Sequence, residues 1–320
     1  MDILIVKLGA LGDVINTLPL AISLKRTFQA RIHWLVAPLS YPIIAAHDHV
    51  DHAILFDHGK GRSSIMRTLA ALRSQRFDII LDLQRIIKSG LLCCIARGSR
   101  KIGFDKLRCK EMTWLFPFER IPSADPQSHM VHQYLEFATH LGASVMAVEW
   151  RIRATEPSIP ELPHSFIVLN IGATKRSNRW SSEGFAALAR AVYAQHHMPC
   201  VLTGGQEDLL MAETIKARAK EAVLDWVGRT TLPELISILS AAKAVVTCDT
   251  GPMHLAVAMG KKVVALFGPS DHRRTGPFQG KVIRGKVDCA PCNRKNCESP
   301  ECMTVIRPED VLRVLSGDLQ

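Results

Sequence analysis

The feature that most limits how this chain can fold is a rhythm that runs through it twice. Short apolar runs alternate with longer segments whose apolar residues recur at helical spacing. In the first half, residues 3–7, 32–36, 52–56 and 77–83 predict strands, and 14–28, 63–74 and 87–96 predict helices. Residues 154–164, ATEPSIPELPH, hold three prolines and few apolar side chains, a linker composition. The rhythm then restarts. Strands are expected at 166–171, 200–203, 224–227, 244–248 and 263–267, with helices at 183–196, 207–222, 232–241 and 253–259. Strands separated by helices call for right-handed crossovers and a parallel sheet. The expectation is an α/β chain of two doubly wound domains, residues 1–155 and 165–305, facing across a cleft. A terminal helix within 306–320 is expected to pack back on the first domain. Ligands of such sheets sit beyond the carboxyl ends of the strands, so the informative residues are those that directly follow strands.

With 320 residues, 47% of them hydrophobic, the chain can bury two ordinary cores. No charged, apolar and cleavable leader precedes the run Ile3–Val6, and no stretch of about 18 uncharged apolar residues occurs. A cytoplasmic protein is expected. The net charge of +10 favours anionic partners. The basic residues are scattered, without a basic tail or interleaved aromatic stacking residues, so nucleic acid is not the expected partner.

The strongest local signal is AVVTCDTGPMHLAVAMG, residues 244–260. A buried strand ends at Cys248, Asp249 to Gly251 turn the chain, and Pro252 suits the first helical position. The N–H groups of Gly251, Met253 and His254 then point out of a helix start, where an anion is favoured. Thr250 adds a hydroxyl and His254 a ring donor. An ordinary capped helix, with Asp249 or Thr250 as cap, fits this stretch equally well. Three further post-strand loops raise the case for a nucleotide diphosphate. NIGATKRSNRW at 170–180 brings Lys175, Arg176 and Arg179; GPSDHRRTGPF at 268–278 brings Arg273 and Arg274; TGGQEDL at 203–209 brings Glu207, an acid suited to ribose hydroxyls.

The first domain opens with the turn GALGDV after its first strand, yet Asp13 stands where phosphate oxygens would lie. Two unit charges about 4 Å apart interact by about 4 kcal/mol at an effective dielectric of about 20. The turn is therefore a poor phosphate seat. It also lacks the G-x-G-x-x-G spacing of a dinucleotide site. Asp13 reads either as a helix cap or as a carboxylate kept ionised by the helix start.

The turn GALGDVINTLPL at 9–20, DLQRIIKSGLL at 82–92 and DTGPMHLAVAMGKKVVALFGPSD at 249–271 together resemble the bacterial ADP-heptose:lipopolysaccharide heptosyltransferases, glycosyltransferase family 9, most of all heptosyltransferase I. The resemblance runs nearly end to end and takes in the block CAPCNRKNCESPECM at 289–303. It implies a GT-B fold of two Rossmann-like domains and transfer of heptose from ADP-heptose to the lipopolysaccharide inner core, on Kdo-lipid A or a heptosyl acceptor, without a catalytic metal. By the same resemblance Asp13 is the base, Asp249, Thr250, Gly251, Pro252, Met253 and His254 form the diphosphate loop, and Glu207 lies near the ribose. Members commonly carry Lys where this chain has Asn178, which shifts the expected diphosphate cation to Arg179 or Lys175. Use of another nucleotide-diphosphate sugar is the alternative. A nucleotide-sugar epimerase or dehydrogenase is a further one, but it needs a nicotinamide fingerprint that is missing here.

The acceptor is expected on the first domain. Lys88 matches the resemblance's post-strand lysine, and His129 opens a helix. Segment 106–120, KLRCKEMTWLFPFER, mixes basic with aromatic residues and reads either as a contact with a phosphorylated lipid at the inner membrane surface or as a core strand with basic flanks. Cys289, Cys292, Cys297 and Cys302 give C-x₂-C-x₄-C-x₄-C. Four thiolates fit structural zinc; packed thiols in a reducing compartment are the other reading.

Overall fold

The computed structural model describes residues 1–145, 147–154, 159 and 161–319. The chain divides into two units, Met1–Ile152 and Arg153–Gln320. Part of the expected linker, residues 155–158 and 160, lies outside the described residues.

In the first unit, β1 (Asp2–Val6), β2 (Arg31–Val36), β3 (His52–Leu55), β4 (Arg76–Asp82), β5 (Arg97–Gly103) and β6 (Glu119–Arg120) alternate with α1 (Leu11–Phe28), α2 (Tyr41–Ala45), α3 (Gly61–Ser74) and α4 (Ile87–Ile95), and α5 (Met130–His140) follows. The sheet runs β3-β2-β1-β4-β5-β6, with every pairing parallel. Ile3 to Val6 are fully buried, each worth about 1.5–3 kcal/mol of transfer free energy. A strand covered on both faces reads as a continuous apolar run, which is why β1 is legible in the sequence. Strand β5, RGSRKIG, is largely exposed and carries three cations, so no apolar run announces it.

The second unit repeats the plan with β7 (Ile167–Asn170), α6 (Ser182–His196), β8 (Cys200–Thr203), α7 (Leu209–Ala219), β9 (Val223–Asp225), α8 (Leu232–Ala241), β10 (Ala244–Cys248), α9 (Gly251–Ala258), β11 (Lys262–Phe267), α10 (His272–Thr275), β12 (Lys281–Arg284), α11 (Glu301–Thr304) and α12 (Pro308–Leu319). Its order is β12-β11-β10-β7-β8-β9, again all parallel. Counted within the unit, this is the same 3-2-1-4-5-6 winding as the first. The terminal helix departs from expectation. Val311 and Leu315 of α12 are fully buried in the second unit's own core, and α12 packs along α6. Its apolar stripe closes the sheet face that α6 leaves partly bare, so the helix is a part of the second unit.

In each sheet the strand order reverses between two neighbours, β1 and β4 in the first and β7 and β10 in the second. The loops beyond these strand ends are where a doubly wound sheet leaves room for a ligand.

Candidate active site

At the first reversal, β1 runs into Lys7 and the turn that starts α1. Lys7 is 1% exposed, and its Nζ lies 2.9 Å from Oδ2 of Asp13, whose side chain is 35% exposed. Its ammonium also sits 5.3 Å from the ring centroid of the buried Tyr134 on α5. Burial opposes charge on Lys7, but the Asp13 carboxylate and the Tyr134 hydroxyl outweigh it and hold the ammonium above its ordinary value. Burial, and next the Asp13 charge, push the Tyr134 hydroxyl up. Asp13 stands in the first turn of α1, while the N-cap position is Ala10, which gives no side-chain cap. The carboxylate is thus ion-paired from below and reaches solvent at its other edge.

The loop after β4 braces this turn. Gln84 Oε1 accepts from the backbone N–H of Leu8 at 3.0 Å and of Gly9 at 3.2 Å. Next to it Arg85 is buried with φ +66°, in the left-handed region, and its guanidinium lies over the Phe104 ring. Lys88 is exposed in the first turn of α4. His129 caps α5, its Nδ1 accepting from the Val131 N–H at 3.2 Å.

At the second reversal, buried side chains knit four loops together. Asn178, 3% exposed, donates Nδ2–H to Asp249 Oδ2 at 3.1 Å and to Ser270 Oγ at 3.1 Å. It ties the loops after β7, β10 and β11 to one another. Asp208, 1% exposed, joins the loop after β8. Its Oδ1 lies 2.8 Å from Arg179 Nη2, and its Oδ2 accepts from the Gly205 N–H at 2.9 Å. Burial pushes the Asp208 carboxyl up. Its seat requires glycine: a Cβ at Gly172 would stand 2.5 Å from Asp208 Oδ2. Trp180 anchors the same loop from behind, donating Nε1–H to Ile306 O at 3.1 Å.

Helix α9 starts at Gly251 after N-cap Thr250, whose hydroxyl makes no side-chain cap bond, with Pro252 in its first turn. Thr250 therefore does not supply the side-chain cap that the ordinary reading of this stretch offered it. Two sequence expectations change here. Met253 N–H already donates to Thr250 O at 3.2 Å, because the first turn is tight, and the Met253 side chain is fully buried in the core. Arg179 and Arg273 are not open cations either. Arg179 is paired with Asp208, and Arg273 Nη2 lies 3.0 Å from Asp271 Oδ2. Lys175 is half-buried and has no ion-pair partner among the described residues. Glu207 is exposed beside the buried Asp208.

The cysteine block lies against this edge. Ser177 Oγ donates to Arg294 O at 2.6 Å. Cys302 is buried in the core, whereas Cys289 and Cys297 are exposed. Burial, followed by the neighbouring thiols of Cys289, Cys292 and Cys297, pushes the Cys302 thiol up. Among the described residues no group of three or more His, Cys, Asp or Glu is placed to hold a metal ion. A tetrathiolate site would need the other three sulfurs drawn to Cys302.

Sequence reasoning missed Lys7, Gln84 and Asp208. Lys7 left a signal: a lysine that ends a fully apolar strand will be buried, and a buried cation needs a counter-charge, which Asp13 offers one turn on. Asp208 left none, because in Gly-Gly-Gln-Glu-Asp only the folded turn decides which acid points inward.

Two doubly wound parallel sheets of like winding, each with its polar groups at the reversal of strand order, have the architecture of the GT-B glycosyltransferases. Residues 65–303 match glycosyltransferase family 9 (heptosyltransferase), and the chain belongs to that family. The lipopolysaccharide core heptosyltransferase OpsX of Haemophilus influenzae is 24% identical over 284 residues, 86% of this chain and 81% of that protein. Lipopolysaccharide heptosyltransferase 1 of Escherichia coli K12 is 24% identical over 337 residues, 99% of this chain and 100% of that protein. In fold, the E. coli heptosyltransferase WaaC with ADP matches with a TM-score of 0.83 at 21% identity, over 99% of this chain and 100% of that one.

Proposed function

We propose that this chain is an inverting transferase that moves heptose from ADP-heptose to an anionic lipopolysaccharide inner-core acceptor, Kdo-lipid A or a heptosylated form of it, at the cytoplasmic face of the inner membrane. The observation that carries the reading is the Lys7–Asp13 pair: a carboxylate at a helix start, one-third open to solvent, with its inner oxygen held by a buried ammonium. A group so placed is fixed in position and kept charged, as a general base must be. The names of the relatives supply the sugar and the acceptor class.

The work divides between the units. In the second, the start of α9 with Thr250, Gly251 and His254 receives the diphosphate, Lys175 adds the open cation, and Glu207 takes the ribose hydroxyls. In the first, Asp13 accepts the proton of the acceptor hydroxyl, with Lys88 and His129 on the acceptor side. As that oxygen bonds to the anomeric carbon, the bond from carbon to the phosphate oxygen breaks, and ADP leaves with the electron pair. One displacement inverts the configuration. The growing charge on ADP is met by the helix dipole and Lys175; no step calls for a metal.

The test is a product assay with ADP-heptose and each of the two acceptors, read by mass spectrometry. A mass gain of one heptose on either acceptor supports the reading. Transfer from a different nucleotide sugar, with none from ADP-heptose, would overturn it.

A further inference from the structure

One face of the first unit is apolar where most of the described surface is not. Of fifteen large hydrophobic side chains that are exposed among the described residues, seven fall between residues 87 and 115, so the exposure is local rather than scattered. On α4, Ile87, Leu91 and Ile95 recur every four residues, 46%, 51% and 37% exposed. They form one outward stripe. From the loop between β5 and β6 come Leu107 at 77%, Met112 at 54%, Trp114 at 37% and Leu115 at 67%.

The two groups share one face. Glu111 Oε2 accepts from the Ile87 N–H at 3.0 Å, and Gly90 of α4 lies so close to the Phe116 ring that a Cβ there would stand 2.3 Å from Cε2. The loop is braced from inside. Arg108 is buried in ion pairs with Asp105 and Glu136, and Arg120 donates to the carbonyls of Thr113 and Phe116, each at 2.8 Å. That bracing removes the core-strand reading of this segment and leaves its outer side chains presented on a held frame. Lys88, Lys106 and Lys110 are exposed along the same stretch, and Lys106 Nζ lies 5.9 Å from the Trp114 ring centroid. Glu111, the exposed acid of the stretch, is turned onto the Ile87 N–H.

We infer that this face docks on an anionic lipid bilayer, with Leu107, Met112 and Leu115 entering the acyl boundary, Trp114 at headgroup level and the lysines on lipid phosphates. The inference rests on the proposed lipid-borne acceptor and adds the surface that meets its membrane. Leucines and a tryptophan beside lysines suit an interface that is apolar below and anionic above. A second copy is the poorer occupant, since a two-fold pairing would set the same lysines against themselves. No described helix is long and apolar enough to cross a membrane, and the proposed contact is made by this surface alone.

The experiment is co-sedimentation of the full chain with vesicles of phosphatidylcholine mixed with phosphatidylglycerol, and of phosphatidylcholine alone. The parent chain is expected to sediment with the mixed vesicles. Leu107→Ser combined with Leu115→Ser should weaken partitioning at least about tenfold. Lys106→Gln combined with Lys110→Gln should weaken it about fivefold per lysine, on the anionic vesicles only. Turnover on a delipidated, water-soluble acceptor sugar should stay at the parent rate in both variants. Parent-like vesicle binding by both variants, or no binding by the parent, overturns the inference and leaves the transferase reading intact. So does a parent dimer that the leucine variant breaks while no form binds vesicles. Loss of turnover on the soluble sugar also overturns it, placing the face in the sugar site. Vesicle binding that follows the pattern, without heptose transfer, instead counts against the transferase reading.

Discussion

The Nζ of Lys7 lies 2.9 Å from the carboxylate of Asp13, with the lysine sealed in the core and the aspartate one-third open. This asymmetry gives the pair its chemistry. The buried cation cannot exchange its partner for water, so it fixes the acid, while the acid keeps an edge for substrate. Asp13→Asn retains shape and removes the base. Turnover is expected to fall about 10²–10⁴-fold, with ADP-heptose affinity near the parent value. Single-turnover rates beside donor titration check both; a parent-like rate would take Asp13 out of the chemistry.

Lys7 acts through Asp13 and is a positioning residue. Lys7→Met leaves the carboxylate without its counter-charge, so the acidic limb of the kcat/KM profile should move to higher pH, because the ammonium no longer favours the ionised form. Lys7→Arg restores charge on a bulkier head and should bring the limb back while recovering part of the rate. A limb that stays put in both variants would reduce Lys7 to a structural ion pair. Circular dichroism of each variant separates a folding defect from a shift in the profile.

In the second unit, Asn178 and Lys175 should separate structure from binding. Asn178→Ala leaves Asp249 and Ser270 without their shared amide, at a cost of about 1–3 kcal/mol in stability, read by urea denaturation. Lys175→Gln removes a cation that no described residue neutralises. It should weaken ADP binding about tenfold at unchanged stability, since a partly exposed charge-assisted bond falls at the lower end of its range. Calorimetric titration with ADP would show it, and an unaltered Kd would move the diphosphate to other groups.

Both windings were legible because their central strands are covered on both faces and so read as unbroken apolar runs. Strand β5 and the edge strand β12 were not, since RGSRKIG and KVIR are basic and bury few apolar side chains, so no continuous apolar run marks them. The terminal helix was read correctly as a helix, yet an apolar stripe does not say which core it covers. In the site, Asp13 and the Asp249–His254 loop follow strands and stood out. Lys7 was hidden within a strand run, and the pairing of Arg179 with Asp208 depends on a glycine cradle that no spacing encodes. Cations counted from sequence overstate the charge offered to a ligand, because the folded loops spend Arg179, Arg273 and Arg108 on their own acids.

Acid should act on the first unit through His47. Its Nε2 lies 2.8 Å from the Trp150 carbonyl and its Nδ1 accepts from the His49 N–H at 3.2 Å. A neutral ring with its proton on Nε2 satisfies both bonds; a second proton on Nδ1 would meet an N–H donor. Burial, opposed in part by the Trp150 carbonyl, holds the His47 ring below its ordinary value, and burial does the same to His33. A depressed folded value means that the unfolded chain takes up protons first as pH falls. The stabilisation is therefore complete above the unfolded value near 6.5 and is lost as pH drops below it through the folded value. Thermal melts between about pH 7.5 and about pH 5 should show a falling Tm, and His47→Gln, an amide that cannot be charged, should flatten that fall. An equally steep fall in the variant would assign the acid sensitivity to the other rings that burial holds low, His33 and His49, where His33→Gln and His49→Gln give the matching tests.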